Sequence, residues 1–422
     1  MTQRQGSAFV LGISMAGAAC GLTDADRRTA GFEVRDSAGI EIVFNAQPEH
    51  ALAVQEVLRI GVVDGDPDYQ FQGIWDIAVD SAGGIWVVDA AESVRRYGPD
   101  GRLTTRVGAR GSGPGEAPQG WGSIVLGAGG VVLEAGSSIQ LFGADGAFLS
   151  SWSSFLGDIY MSPIGRADGR WILQAIDYSG SPGVWRAGVS VFAGATPAEA
   201  VDTVGVFPGQ VMRSLGTAAG PGPAGAGPYF MGDPHFAVDG RGHLFVSDTL
   251  AYRVERYGTD GALQRVLTRA AEPVPYDPAW IAAMEAPLEA YLGRSGSIDR
   301  AAVERLMERA RPDPEPPHLH FIQDLFVGRN GALWIERADR YPDPPTRAAA
   351  HQIGIVPAAW PEAWRAPRVF DVFDANGKYQ GTVNLPATFT PMAVAGTAIY
   401  GVMRDDLDVE FVVAFTAGAE EP

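Results

Sequence analysis

The chain carries one pattern twice, as IAVDSAGGIWVVDAAESVRRYGPDGRLTTRV (77–107) and as FAVDGRGHLFVSDTLAYRVERYGTDGALQRVL (236–267). Each copy consists of short apolar and β-branched runs separated by glycine-containing turns, and in each copy Asp-Gly follows a tyrosine at the third and fourth positions. Such runs predict β-strands joined by tight hairpins, because Asp and Gly tolerate the positive φ angles that these turns require. The repetition therefore predicts an all-β protein built from one recurring unit.

Weaker copies with the same order of strands and turns lie between and after these two. They span 124–152, 164–176 with 188–194, 325–338 with 368–383, and 392–417. A four-stranded antiparallel sheet buries both of its faces only between neighbouring sheets, and a ring of such sheets is a β-propeller. Six copies of a four-stranded unit therefore predict a six-bladed β-propeller.

The last copy has only three visible strands. The segment EVLRIGVV (56–63), ahead of the first copy, resembles the outer strand RLTTRVGA (102–109) that ends that copy. We predict that this N-terminal strand completes the last blade, which would close the ring and remove its open edge. The segment FEVRDSAGIEIVF (32–44) predicts an additional hairpin before it.

Three segments resemble the six-bladed propellers of the NHL-repeat type, especially a large bacterial group of them. They are VRDSAGIEIV (34–43), RRYGPDGRLTTRVGARGSGPGE (95–116) and VMRDDLDVEFVVAF (402–415). The resemblance extends over most of the chain and implies the propeller fold. It selects no function, because propellers of this type include binding proteins, scaffolds, lyases and hydrolases.

One insertion interrupts the repeats between blades four and five. In residues 276–312, Asp277 can cap a helix that begins at Pro278, and apolar residues recur at helical spacing, which predicts two short helices. We accordingly divide the chain into a leader (1–20), a linker (21–31), the propeller (32–418) and a tail (419–422).

The leader, MTQRQGSAFVLGISMAGAAC, has the layout of an export signal. Arg4 and the amino terminus are positive, an apolar stretch follows, and small residues lead to Cys20, the single cysteine of the chain. Its ending resembles a bacterial lipobox, which predicts lipidation of Cys20 and a periplasmic or outer-membrane-anchored protein. Cleavage by an ordinary signal peptidase after residues 16–18 is the alternative.

The composition excludes one class of partner. The formal net charge is −18, whereas nucleic-acid binding depends on clustered Lys and Arg that neutralise phosphates. We therefore expect a protein or small-molecule ligand, no nucleic acid, no cofactor, and membrane contact only through the lipid anchor. We expect a monomer.

Loops at one end of a propeller surround its channel and form a concave surface suited to ligands. Four segments are expected there: 64–74, 108–121, 209–234 and 270–320. The second, GARGSGPGEAPQGW, lacks the Gly-Lys-Ser/Thr of a phosphate-binding P-loop and is not followed by a helical pattern, so we predict a turn between blades. We expect Arg110 and Trp121 of this turn, and Tyr229 of the third segment, to face a ligand at the channel.

Three histidines precede or begin predicted inner strands. His318 and His320 alternate as strand residues do, and His235 has the comparable position in blade four. They are either ligand contacts hydrogen-bonded at the blade starts or, together, a zinc site with an open position. Neither an HExxH motif nor a CxxC pair accompanies them.

Other charged residues recur at repeat positions. Asp89 and Asp248, with arginines nearby, are expected to be structural because they recur. The sequence thus predicts an exported or lipid-anchored propeller that acts as a non-catalytic ligand- or protein-binding module of the cell envelope. The alternative is a metal-dependent lyase or hydrolase that uses His235, His318 and His320.

Overall fold

The computed structural model of the protein covers most of the repeats. It describes residues 31–90, 93–118, 120–127, 130–143, 145–156, 159–167, 170–177, 184–194, 202–214, 225–226, 234–248, 250–279, 308, 311, 315–338 and 368–418. The leader with Cys20, Tyr229, the tail and nearly all of the predicted helical insertion (276–312) lie outside these residues. Within them, no helix is long and apolar enough to cross a membrane.

The described elements are strands, apart from one 3-10 turn at Pro67–Tyr69. Three strands precede the repeats: β1 (Phe32–Ser37), β2 (Ile40–Asn45) and β3 (Val54–Ile60). Sheet 1 contains β4 (Ile74–Val79), β5 (Ile85–Asp89), β6 (Val94–Tyr97) and β7 (Leu103–Val107). Sheet 2 contains β8 (Ile124–Gly127), β9 (Gly130–Ala135), β10 (Ser138–Gly143) and β11 (Phe148–Ser153).

Sheet 3 contains β12 (Phe155–Leu156), β13 (Ile159–Ala167), β14 (Arg170–Asp177), β15 (Val184–Gly194), β16 (Asp202–Ser214) and β17 (Gly225–Ala226). Sheet 4 contains β18 (Phe236–Val238), β19 (Leu244–Ser247), β20 (Arg253–Tyr257) and β21 (Leu263–Arg269). Sheet 5 contains β22 (Ile322–Val327), β23 (Leu333–Arg337), β24 (Arg368–Phe373) and β25 (Tyr379–Leu385). Sheet 6 contains β26 (Phe389–Ala395), β27 (Ala398–Arg404) and β28 (Glu410–Ala417).

The sheets surround a central channel. Consecutive strands within each sheet pair antiparallel, as in β4–β5 and β26–β27. The inner strands contact one another from sheet to sheet: β4 lies beside β8 and β26, β13 beside β8 and β18, and β22 beside β18 and β26. The protein is a β-propeller, in agreement with the repeats.

A buried apolar cluster fills each junction between adjacent described sheets. Trp86 of sheet 1 and Leu133 of sheet 2, for example, belong to one cluster, and Trp334 of sheet 5 and Ile399 of sheet 6 belong to another. The remaining junctions hold corresponding clusters. Each sheet therefore buries both faces, and this is clearest in the second strands β5, β19 and β23, in which every residue is buried.

The predicted N-terminal strand is confirmed. Strand β3 pairs antiparallel with β28, so that Ile60 faces Val412, and it becomes the fourth strand of sheet 6. Unpaired edge groups of β28 are thereby covered.

The predicted N-terminal hairpin is also confirmed, because β1 pairs antiparallel with β2 through a turn at Ala38 and Gly39. Its attachment was not foreseen: β2 pairs in parallel with β21 and extends sheet 4 outward. Between the hairpin and β3, Leu52 donates its N–H to the carbonyl of Thr382 in sheet 5, at 2.8 Å. Residues 31–62, here called the N-terminal belt, therefore contact sheets 4, 5 and 6.

Two ends of the insertion lie side by side. Pro275 and His318 form an antiparallel bridge, and the N–H of Leu319 donates to the carbonyl of Val274 at 2.9 Å. Strand β22 begins only at Ile322. The prediction that His318 and His320 alternate within a strand is therefore wrong, because both residues belong to the connection that leads into β22.

Candidate functional site

The channel encloses a cavity of about 630 Å³. Its walls come from the inner strands of the six sheets, including Ile77, Ile124, Phe236, Leu325 and Val394. Cavities of this size suit a small molecule. The walls combine apolar side chains with charged residues, among them Asp76, Asp239 and Arg329. The ring of inner strands therefore forms a candidate binding site.

Asp76 is a carboxylate on the wall of this cavity. It follows a β-bulge in β4, where the register shifts between Ile74 and Asp76. Its two carboxylate oxygens accept hydrogen bonds from the backbone N–H of Ile77 at 2.8 Å and of Ile124 at 2.9 Å. Asp76 thus connects the inner strands of sheets 1 and 2 at the channel.

Burial raises the pKa of Asp76 to about 7, although its two backbone hydrogen bonds favour the charged form. Near neutral pH this group is therefore poised between a carboxylate, which accepts hydrogen bonds, and a carboxylic acid, which can also donate one.

Asp324 has the corresponding position in β22. The same register shift separates Ile322 from Asp324, and one carboxylate oxygen accepts the N–H of Leu325 at 2.8 Å. The imidazole Nδ1 of His235, on the neighbouring sheet, lies 3.4 Å from this carboxylate. The two aspartates were missed in the sequence, although IWDIAV (74–79) and IQDLFV (322–327) share the spacing that would have found them.

The three predicted histidines have different partners. His235 approaches Asp324, whereas the Nδ1 of His318 lies 2.7 Å from the carbonyl of Leu319. His320 is buried, and its Nε2 lies 3.2 Å from the side-chain oxygen of Gln323. Within the part of the chain that is described, no three His, Cys, Asp or Glu residues are grouped to hold a metal ion. Local hydrogen bonding, the simpler sequence interpretation, accounts for their positions.

The glycine-rich stretch 108–121 leads from β7 to β8, and so it is the predicted turn between repeats. The carboxylate of Glu116 folds back within the turn and accepts the N–H of Gly113 at 2.8 Å. A carboxylate of the loop itself thus accepts a backbone hydrogen bond of the kind that a bound phosphate would accept. This contact explains why a glycine-rich segment here need not bind phosphate.

Arg110 and Trp121 lie towards opposite ends of this turn and differ in exposure. Arg110 is exposed, whereas Trp121 is only 3% exposed and packs edge-on against Phe142, with 5.7 Å between ring centroids. A Cβ atom on Gly108 would lie 2.3 Å from the Trp121 indole, so the close approach requires glycine there. Trp121 is a core residue between sheets 1 and 2 and does not line the cavity, contrary to the expected ligand contact. Tyr229 lies outside the described residues.

The recurring aspartates are structural, as predicted. Asp89 forms a buried ion pair with Arg95 at 3.3 Å. Asp248 accepts the N–H groups of Leu250 and Ala251, at 2.8 and 2.9 Å, and thereby caps a turn.

No protein-family model matches the chain, and no curated protein matches it. Among solved structures, a protein from Bacteroides fragilis aligns with a TM-score of 0.46 and 10% identity, over 86% of this chain and 95% of that one.

Two further solved structures are similar over nearly their whole length. A catalytically inactive virginiamycin B lyase from Staphylococcus aureus, with quinupristin, aligns with a TM-score of 0.38 and 12% identity, over 86% of this chain and 99% of that one. Regucalcin, a calcium-binding protein from Agrobacterium tumefaciens, aligns with a TM-score of 0.35 and 12% identity, over 87% and 97%. At these values the similarities carry no argument about activity.

Proposed function

We propose that the protein is a six-bladed propeller that binds a small-molecule ligand in its channel without transforming it. The observation that carries this proposal is the cavity of about 630 Å³, whose walls are polar and apolar in about equal parts and include the Asp76 carboxyl. Such a cavity can bury most of a small ligand, while a few polar groups orient it.

The sheets and their junctions support the proposed number of six blades. The described strands form six sheets, and the contacts between inner strands return from β26 to β4. In this arrangement β3 is the outer strand of the sixth blade. The hairpin β1–β2 and the additional strands of sheet 3 are accessories to the blades.

The proposed location is the cell envelope. The leader MTQRQGSAFVLGISMAGAAC supports export, and its ending supports lipidation of Cys20. A propeller held there would meet its ligand outside the cytoplasm.

The binding proposal can be tested by equilibrium dialysis of the purified protein against a small-molecule extract of the source cells, followed by mass spectrometry of the retained compounds. Ala237→Phe and Ala393→Phe place a larger side chain at two walls of the cavity. Ala82→Phe makes the same substitution at an exposed turn residue and is the matched control. Thermal unfolding verifies that each variant is folded.

We expect the wild type and Ala82→Phe to retain the same compound, and the two channel variants to retain at least about tenfold less, because the added ring occupies its volume. Equal retention by all four proteins would exclude the channel as the binding site. A retained compound that returns with altered mass would indicate an enzyme.

The alternative is a metal-dependent lyase or hydrolase that uses His235, His318 and His320. Its support is limited to the approach of His235 to Asp324, since the other two rings have local partners. Elemental analysis of purified protein and of the triple alanine variant tests it. We expect no metal that depends on these histidines, and one equivalent lost in the variant would favour the enzyme.

A further inference from the structure

Several large apolar side chains are exposed where sheet 6 meets sheet 1. Trp75 is 66% exposed and Leu407 is 77% exposed, and Val62 and Val63 are exposed as well. Single exposed apolar residues are common on protein surfaces, but several together mark interaction sites. These four residues are here called the junction patch.

Contacts with Glu410 bring the backbone next to Trp75 and next to Val62 to the same end of the junction. The N–H of Ile74, next to Trp75, donates to the Glu410 carboxylate at 2.5 Å. A Cβ atom on Gly61, next to Val62, would lie 3.3 Å from the carbonyl of Glu410. Leu407 lies in the tight turn that joins β27 to β28, just before Glu410.

The charge around the junction patch is strongly negative. Five aspartates on its two loops are exposed: Asp64, Asp66, Asp405, Asp406 and Asp408. The arginines nearby are already neutralised by carboxylates. Their pairs are Arg59 with Glu56, Arg106 with Asp68, and Arg404 with Glu410.

We infer that the junction patch docks a basic segment of a partner protein, in which Lys or Arg residues accompany apolar side chains. The apolar side chains would cover Leu407 and Val63, and the cations would meet the five aspartates. The exposed indole of Trp75 can in addition receive a Lys or Arg over its face. Tryptophan is enriched among the residues that contribute most to binding at protein interfaces.

Charge complementarity decides between this occupant and two others. A second copy of the chain would bring the same aspartates against themselves and add another net charge of −18. An anionic lipid surface attracts basic protein segments and would repel the acidic loops of the junction patch. This inference does not depend on ligand binding in the channel, because the junction patch and the cavity involve different side chains.

The test uses a short fluorescein-labelled peptide of alternating Arg and Leu, with fluorescence anisotropy as the readout. Comparison peptides carry Glu in place of Arg, or Ser in place of Leu. The patch variant Trp75→Ser/Leu407→Ser is compared with Leu149→Ser/Val206→Ser, which changes two exposed apolar residues on other sheets and leaves the net charge unchanged. Asp64→Asn/Asp406→Asn is compared with Asp36→Asn/Asp100→Asn, which removes two exposed aspartates elsewhere.

We expect the patch variant to weaken binding of the Arg-Leu peptide at least about tenfold, with no change in its control. Asp64→Asn/Asp406→Asn should weaken binding and reduce its salt dependence more than its control does, because fewer charges attract the peptide. The Glu and Ser peptides should bind weakly. The single variant Leu407→Ser, at an exposed turn, replaces the double variant if the latter unfolds.

Equal effects of patch and control variants would overturn the inference, because the peptide would then be attracted by net charge alone. A dimer in sedimentation velocity that Trp75→Ser/Leu407→Ser dissociates would reassign the patch to self-association. Binding to phosphatidylglycerol vesicles that depends on Trp75 would reassign it to a membrane.

Discussion

Asp76 couples protonation to the packing of two blades at the channel. Its ordinary pKa of 3.8 applies to the unfolded chain, whereas the folded protein raises the pKa to about 7. Between these values the folded protein binds more protons than the unfolded chain. The contribution of Asp76 to the free energy of unfolding therefore decreases as the pH rises from about 4 to about 7.

We predict that Asp76→Asn removes this pH dependence. Relative to the variant, the wild type should lose at most about 1.4 kcal/mol of its free energy of unfolding per pH unit across that window. Urea unfolding at a series of pH values measures the difference, and carboxyl ¹³C NMR locates the pKa. Asp36→Asn, at an exposed residue, is the control and should leave the pH profile unchanged. A carboxyl that titrates near pH 4 would contradict the argument.

Asp371 is the buried charge on which sheets 4 and 5 depend. It is fully buried, and one of its oxygens accepts hydrogen bonds from the Tyr252 hydroxyl at 2.8 Å and from Arg337 at 2.9 Å. The guanidinium of Arg269 lies 3.1 Å from the same oxygen. Two buried cations therefore share one carboxylate.

We predict that Asp371→Asn lowers the free energy of unfolding by about 3–5 kcal/mol, because it leaves buried arginine charge uncompensated. Asp374→Asn, in the turn after β24, should cost less than about 1 kcal/mol, since an amide oxygen can still accept the N–H groups of Asn376 and Lys378. Chemical denaturation measures both values. Similar losses for the two variants would show that charge is unimportant at Asp371.

The predicted roles were right for residues that recur in the repeats, and the predicted role was wrong for Trp121, which belongs to a turn between repeats. Asp89 and Asp248 were assigned structural roles because they occupy matching repeat positions. Trp121 was expected at the ligand, yet the turn that carries it folds the indole between sheets 1 and 2. Exposure depends on packing between repeats, and the pattern within one repeat does not specify it.

The N-terminal belt lies outside the repeats and contacts sheets 4, 5 and 6. Strand β3 is the fourth strand of sheet 6, whereas the hairpin β1–β2 adds to a sheet that already has four strands. Asn45, at the end of β2, is buried, and its side chain accepts the N–H of Tyr379 and donates to the carbonyl of Gly377, both at 2.9 Å. The hairpin therefore stabilises the junction of sheets 4 and 5, while β3 completes a blade.

Two truncations separate these roles. Compared with a chain that begins at residue 21, one that begins at residue 47 should still fold, with a lower melting temperature and no change in oligomeric state, because sheet 4 keeps its own four strands. A chain that begins at residue 63 should aggregate, because β28 becomes an open edge and Ile60 is lost from the core. Size-exclusion chromatography and thermal unfolding distinguish them. A stable monomer without β3 would contradict its role in closing the ring.

The sequence predicted β3 because its residues resemble an outer strand of another repeat. It could not predict the parallel pairing of β2 with β21, since these strands lie far apart in the chain and parallel pairing leaves no turn signal between them. The hairpin was predictable from its own turn, and only its attachment depended on the tertiary fold.

For the whole molecule, lipid anchoring through the leader and ligand binding in the channel are two independent predictions. If Cys20 is lipidated, the wild type should incorporate labelled palmitate and sediment with membranes, whereas Cys20→Ala should be unlabelled and mostly soluble, because the anchor is lost. Cell fractionation of both proteins measures this. A Cys20→Ala variant that still sediments with membranes would exclude the anchor without affecting the channel.

The repeats predicted the ring and its channel, because every blade contributes an equivalent inner strand. They could not predict what the channel holds, because ligand identity depends on individual side chains such as Asp76 at the inner ends of the sheets. Binding of a ligand in the channel depends on the ring being closed.

The most direct measurement is a crystal structure of the protein with the compound that equilibrium dialysis retains most strongly. We predict the intact compound inside the channel, between the inner strands and in contact with the carboxyl of Asp76 or the walls formed by Ile124 and Phe236. A compound bound outside the channel, or found there in a chemically altered form, would contradict a non-catalytic channel-binding protein.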